Sequence, residues 1–123
     1  MAISTPSGRN FYATMRELKW SSTEKAVARR CFDRALQREL NEAIQSTKAM
    51  AAKIGHASEL WELEHHLTQL RKEIDRKYDY RYSRLLQVFS DLVQEGQLDI
   101  ADLRGLSEDK LRYIRQHAEQ SAA

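Results

Sequence analysis

Three groups of residues in this chain are of types that do chemistry. Cys31 follows Arg29 and Arg30, and guanidinium groups beside a thiol raise the thiolate fraction that acts as nucleophile. No histidine is placed by sequence to serve as its base, and Cys31 falls on the apolar side of its segment, so a buried, inert thiol is expected. The run Glu64, His65, His66, with His56 and His117 elsewhere, carries zinc-donor types. Adjacent residues on a helix point about 100° apart, however, whereas zinc helices present donors at i and i+4, as in HExxH. Surface histidines are expected. Asp75 and Asp79 stand one turn apart with no nucleophile or phosphate-binding glycine loop, which suits a solvated helix face better than an acid–base pair. The expectation is therefore no catalytic residue, no metal and no cofactor.

Trp61 points toward binding instead. On a helix it lies roughly 140° from the apolar stripe of Leu63, Leu67, Leu70 and Ile74, so packing along that stripe leaves the indole outside. Glu64, His65, Thr68, Lys72 and Asp75 share its face, and Arg71 sits between that face and the stripe. Trp and Arg are the types most enriched at binding hot spots. The competing reading packs Trp61 against a second subunit and gives Arg71 a salt bridge. The two are compatible if the patch borders a dimer seam.

The elements that position these residues read as helices. Ser21 and Glu24 have capping-box spacing, and a stripe from Val27 through Leu36, Leu40 and Ile44 to Ile54 predicts a helix over 22 to 54, ended by a left-handed Gly55. A second helix is predicted over 59 to 95, capped by Ser58. Its seam of Leu60, Leu63, Leu67, Leu70 and Ile74 is spaced three, four, three, four. The stretch "KYDYRYS" at 77 to 83 alternates Tyr with polar residues, a strand pattern in isolation. Tyr78 and Tyr82 are also i and i+4, Leu85, Phe89 and Leu92 continue the spacing, and no Gly or Pro intervenes, so it is assigned to the helix with a bend allowed near 76 to 82. Short helices follow over 99 to 120, capped by Asp99 and Ser107. Residues 1 to 16 read as a flexible arm whose Phe11 and Tyr12 are available for docking, and 17 to 120 as one all-helical domain.

With 123 residues, 41% apolar, 31% charged, one Pro and four Gly, the chain has too little turn chemistry for a β-sandwich. A net charge of +2 with interspersed signs does not mark a phosphate-tracking face. A basic helical nucleic-acid binder using "RKEIDRKYDYRYSR" is the alternative function. One cysteine excludes an intrachain disulfide, and with no apolar run long enough to span a bilayer, a cytoplasmic protein is expected. The fold expected is all-α: a long antiparallel hairpin, dimerising into a helical bundle because helix 1 has more apolar surface than one partner helix covers, with a small C-terminal head.

The sequence resembles the fluorescence recovery proteins of cyanobacteria and their relatives in other bacteria from Trp20 to about Ala118. The similarity is carried by "WS" at 20, "QREL" at 37, "LWEL" at 60, "RKEIDRKYDYR" at 71, "VF" at 88, "LVQEG" at 92 and "GLSEDK" at 105. The resemblance implies a homodimer without cofactor that binds the C-terminal domain of photoactivated orange carotenoid protein. It would speed that protein's return to the orange resting form and end non-photochemical quenching, beside the thylakoid and phycobilisome in a phototroph. It also implies a partner-contact patch at Trp61 and Arg71, with Glu64, His65 and Lys110, and a dimer interface at Trp20 and Ile44, joined by Leu36 and Leu40 from the stripe. This chain departs from the family pattern at Glu64, His65 and His66, and at Gln87 and Tyr113 in the head.

Overall fold

The computed structural model describes residues 19–122, with side chains described as far as Glu119; the arm with Phe11 and Tyr12 lies outside the described residues. In chain order these residues form α1 (Ser22–Ala52), α2 (Ala57–Lys77), α3 (Leu85–Gln94), a 3-10 turn (Ile100–Leu103) and α4 (Glu108–Ala122).

α1 begins as its capping box requires. The Ser21 hydroxyl accepts from the Glu24 amide at 3.1 Å, and the Glu24 carboxylate accepts from the Ser21 amide at 2.9 Å. Its end differs from expectation: the Lys53 and Ile54 amides close it through tight turns onto Met50 and Ala51, and Gly55 does not take a positive φ. Among the described residues the left-handed ones are Gly96 and Gly105. At Gly105 a Cβ would stand 2.7 Å from Val27 Cγ2, so the loop into α4 passes over α1 where only a hydrogen fits. α2 starts before the predicted Ser58 cap, because the Glu59 carboxylate satisfies the Gly55 and His56 amides at 2.9 Å each.

The core occupies one end of the molecule. From α1 it takes Val27, Ala28, Cys31, Phe32 and Ala35, from α3 Leu85, Leu86, Val88, Phe89 and Leu92, and from the remainder Leu98, Leu103, Leu106, Tyr113 and Ile114. α3 and α4 thus clamp the first half of α1. The second half of α1 contributes no buried residue, and neither does any position of α2.

The largest correction concerns "KYDYRYS". α2 stops at Lys77, residues 78–81 lie outside any helix and 82–84 turn before α3, so the predicted 59–95 helix is two helices. Tyr78 and Tyr80 meet Phe32 edge-on, with ring centroids 5.4 and 4.9 Å away, Tyr80 contacts Tyr82 at 5.7 Å, and Tyr82 reaches Trp20 at 5.5 Å. Arg29 lies over the Tyr80 ring at 3.7 Å and Lys25 over Tyr82 at 5.4 Å. Lys25, Arg29 and Phe32 are spaced four and three, one stripe of α1, and the non-helical segment lays the rings of Tyr78, Tyr80 and Tyr82 along it. The alternate tyrosines therefore zip onto that stripe. Helical spacing would carry Tyr80 away from it.

A polar latch closes the zip. Glu39 on α1 accepts from the Tyr78 hydroxyl at 2.5 Å and from Lys77 Nζ at 2.8 Å, while Lys77 also reaches Glu95 at 2.6 Å. Burial raises the Tyr78 pKa, and Glu39 raises it further. For Lys77 burial acts downward, but the hydrogen bonds from Glu39 and Glu95 outweigh it and the pKa rises. Both raised values stabilise the fold fully below the unfolded-state values near 10 and lose that contribution as pH climbs through the folded ones. Melting temperature is expected to fall above about pH 10, and less so in Tyr78→Phe; an identical alkaline profile would remove Tyr78 from the latch.

Candidate protein-binding site

α2 holds its site residues outward because nothing else among the described residues covers them. Trp61 is 64% exposed, and Leu60 beside it is 46% exposed. Glu64 and His65 share the exposed face, with Glu64 accepting from the Thr68 hydroxyl at 2.8 Å. Arg71 is exposed as well, ten residues on and so roughly 15 Å along the axis. The structure therefore brings Trp61, Glu64, His65 and Arg71 onto one open helix, with Arg71 at its border with α1.

That border is a groove of about 750 Å³ lined by Leu36, Leu40, Ala43, Ile44 and Thr47 from α1 and by Leu67, Leu70, Arg71 and Ile74 from α2. Of the predicted seam, Leu67, Leu70 and Ile74 line the groove against α1, yet Leu40, Ile44 and Leu67 remain 38%, 49% and 40% exposed. An amphipathic helix of 21 residues with no buried position gains little from tertiary packing, which is where most helical stability arises.

Two predicted site residues stand elsewhere. Lys110 is not on the surface: it is 3% exposed, with Nζ donating to Glu24 Oε2 at 3.0 Å and to the Lys19 carbonyl at 2.7 Å, and lying 4.8 Å from the Trp20 ring centroid. Glu24 also accepts from the Ser107 amide at 2.9 Å. One carboxylate thus joins the starts of α1 and α4, which leaves Lys110 no contact to offer a partner. Trp20, expected at a dimer interface, is buried in the head of its own chain between Lys110 and Tyr82. Leu36 packs against the core edge. Gln87 and Tyr113, the departures in the head, face each other across α3 and α4, the tyrosine hydroxyl 3.4 Å from Gln87 Oε1.

The remaining chemistry is quiet. Burial raises the Cys31 pKa, against a lowering influence of Arg30, and its thiol donates to the Asp102 carbonyl at 3.1 Å. Among the described residues no three His, Cys, Asp or Glu side chains converge as metal ligands, and no helix is long and apolar enough to cross a membrane. The basic face proposed for nucleic acid is dispersed by the break at Lys77. Arg76 pairs with Glu73, Lys77 with Glu39 and Glu95, and Arg81 and Arg84 with Asp79.

Comparison with known proteins decides the family. Residues 20–118 match the family described as photoprotection regulator fluorescence recovery protein. The chain belongs to that family. The fluorescence recovery protein of Synechocystis sp. is 37% identical over 99 residues, covering 80% of this chain and 91% of that one. The solved fluorescence recovery protein of Fremyella diplosiphon superposes with a TM-score of 0.79 at 40% identity, and that of Synechocystis with 0.79 at 37%, each covering 82% of this chain and 99% of its own. The all-helical architecture agrees with these fluorescence recovery protein structures, and the matched span runs from the buried Trp20 through most of α4.

Proposed function

We propose that this chain is a non-enzymatic homodimeric regulator that binds the C-terminal domain of photoactivated orange carotenoid protein, or a related carotenoid-binding protein. By doing so it would hasten return to the orange form and end non-photochemical quenching. Membership of a family of photoprotection regulators supports the class of function. The observation that carries the contact surface is Trp61, 64% exposed on a helix that gives nothing to the core. Exposed indole and guanidinium groups flanked by Glu64 and His65 suit a protein surface, and the paired cations of residues 76 to 84 disfavour a phosphate backbone. Such a regulator acts by binding a transition-like arrangement of its client better than the active form. The expected setting is the cytoplasm, at the phycobilisome in a phototroph.

The proposed dimer places a second copy in the groove between α1 and α2, since the apolar faces left open there are long and continuous with Arg71. Ile44→Glu is expected to weaken the dimer by roughly 100-fold, because it sets an unpaired carboxylate in the seam; a dimer mass unchanged by light scattering at low protein concentration would place the interface elsewhere. The function itself is tested by photoactivating an orange carotenoid protein and timing its red-to-orange return with and without this chain. Acceleration in proportion to added protein is expected. An unchanged return at molar excess would remove the proposed activity.

A further inference from the structure

Five aromatic rings form an unbroken line through the head. Trp20 meets Tyr82 with centroids 5.5 Å apart, Tyr82 meets Tyr80 at 5.7 Å, and Phe32 joins Tyr80 to Tyr78 at 4.9 and 5.4 Å. Tyr82 is exposed and opens the line to solvent. Packing alone asks only for apolar rings, which phenylalanine supplies. Four of these five are instead indole or phenol, the aromatic side chains that yield an electron most readily.

Charge grades the line. A cation over a ring opposes loss of an electron from it, because the same field holds the π cloud. Arg29 lies 3.7 Å from the Tyr80 centroid, Lys110 4.8 Å from that of Trp20 and Lys25 5.4 Å from that of Tyr82. Arg29 and Lys110 are each paired with one carboxylate, Asp33 and Glu24, which cancels their charge without reversing it. Tyr78 is placed differently. Lys77 stands 5.7 Å from its ring, but that ammonium is shared by Glu39 at 2.8 Å and Glu95 at 2.6 Å, so negative charge is in surplus. Glu39 also accepts from the Tyr78 hydroxyl at 2.5 Å. A phenol that loses an electron becomes a strong acid, and this one already has a base within hydrogen-bond reach. Of the oxidisable rings, Tyr78 therefore accommodates electron loss best.

We propose that the array is a radical relay: an oxidising equivalent that strikes the exposed end at Tyr82 passes from ring to ring and comes to rest on Tyr78. The substrate is a diffusible one-electron oxidant, an inorganic or peroxyl radical, which leaves as its anion. Tyr78 gives up the electron and its hydroxyl proton moves to Glu39 Oε1, leaving a neutral phenoxyl radical beside a neutral carboxylic acid. An enediol monoanion such as ascorbate then supplies one electron, sheds a proton to water and departs as its radical anion. The proton on Glu39 returns to the phenoxyl oxygen, and the starting state is restored. The relay lies in the head, apart from the exposed face of α2, and does not rest on the carotenoid-protein reading.

The test generates azide radical by pulse radiolysis in a solution of the whole chain, in a Trp61→Phe background that leaves Trp20 as the single indole. Indolyl absorption is expected to decay as a long-lived tyrosyl signal grows, read by absorption and by electron paramagnetic resonance of frozen samples, and ascorbate is expected to erase it. Tyr78→Phe is expected to remove the long-lived signal although four of the five tyrosines remain. Glu39→Gln keeps a hydrogen-bond acceptor for the hydroxyl but takes away the proton acceptor, and the same loss is expected in a chain whose circular dichroism is unchanged. A tyrosyl signal of equal yield and lifetime in either folded variant would overturn the proposal. Spin-trap adducts located by peptide mass spectrometry in the unsubstituted chain give a readout independent of both variants. Adducts concentrated on Tyr78 are expected, and adducts on Tyr82 with none on Tyr78 would overturn the relay.

Discussion

Arg71→Leu is expected to abolish the acceleration of the red-to-orange return while leaving mass and helical content unchanged. Arg71 is exposed and has no ion pair among the described residues, so no structural partner is orphaned by its loss. Trp61→Ala should behave the same way, since the indole is 64% exposed and covers nothing the fold requires. Truncating a hot-spot residue costs about 2 kcal/mol or more, roughly a thirtyfold loss of affinity. Return kinetics over a range of protein concentrations separate weakened binding from lost activity. Loss of the proposed dimer in Arg71→Leu would instead show that the guanidinium belongs to the proposed subunit seam in the groove it borders.

The second large effect is expected at the buried pair. Lys110→Met leaves Glu24 charged and enclosed without its cation, and removes the tie to the Lys19 carbonyl. Breaking one side of a buried pair costs about 3 kcal/mol or more, enough to lower the melting temperature of a domain this size by more than about 10 °C. Replacing both partners by apolar residues, as in Glu24→Leu with Lys110→Met, should recover part of the loss, less the capping contribution that Glu24 makes to α1. The pair also has a pH signature. Burial pushes the Glu24 carboxyl upward, but the Ser21 amide, Lys110 and the Ser107 amide together hold it below its ordinary value. A depressed folded value means the stabilisation is complete above the unfolded carboxylate pKa near 4.3 and fades as pH falls through the folded one. Melts taken from about pH 5 down to about pH 3 should show this decline in the parent chain and a smaller one in Glu24→Gln; equal slopes would mean other carboxylates govern acid unfolding.

These two regions differ in how legible they were. The outward aim of Trp61 follows from an angle along one helix, a local property, and the sequence suffices for it. The start of α1 is local too, because both members of its capping box lie within four residues. Lys110 is the opposite case: its burial depends on Glu24, 86 positions away, and a lysine read alone belongs on the surface. Trp20 likewise reads as an interface aromatic until the head closes over it. At "KYDYRYS" both periodicities were present, with Tyr78 and Tyr82 fitting a helix and Tyr80 only a strand. The flanking apolar stripe outvoted the alternation, but Phe32, Arg29 and Lys25 on α1 reward the alternate rings, and tertiary contact overrides local spacing. The open groove was foreseeable as surplus apolar surface on helix 1, although the complete lack of buried residues on α2 was not.

The central claim is that the exposed face of α2 docks a carotenoid-binding client through Trp61. The most direct measurement is a titration of the isolated C-terminal domain of orange carotenoid protein with this chain and with Trp61→Ala, read by size-exclusion with light scattering. Saturable complex formation with the parent, and its loss in a variant that keeps the parent's own mass, is the predicted result. Equal binding by both chains, or binding by neither, would contradict the account.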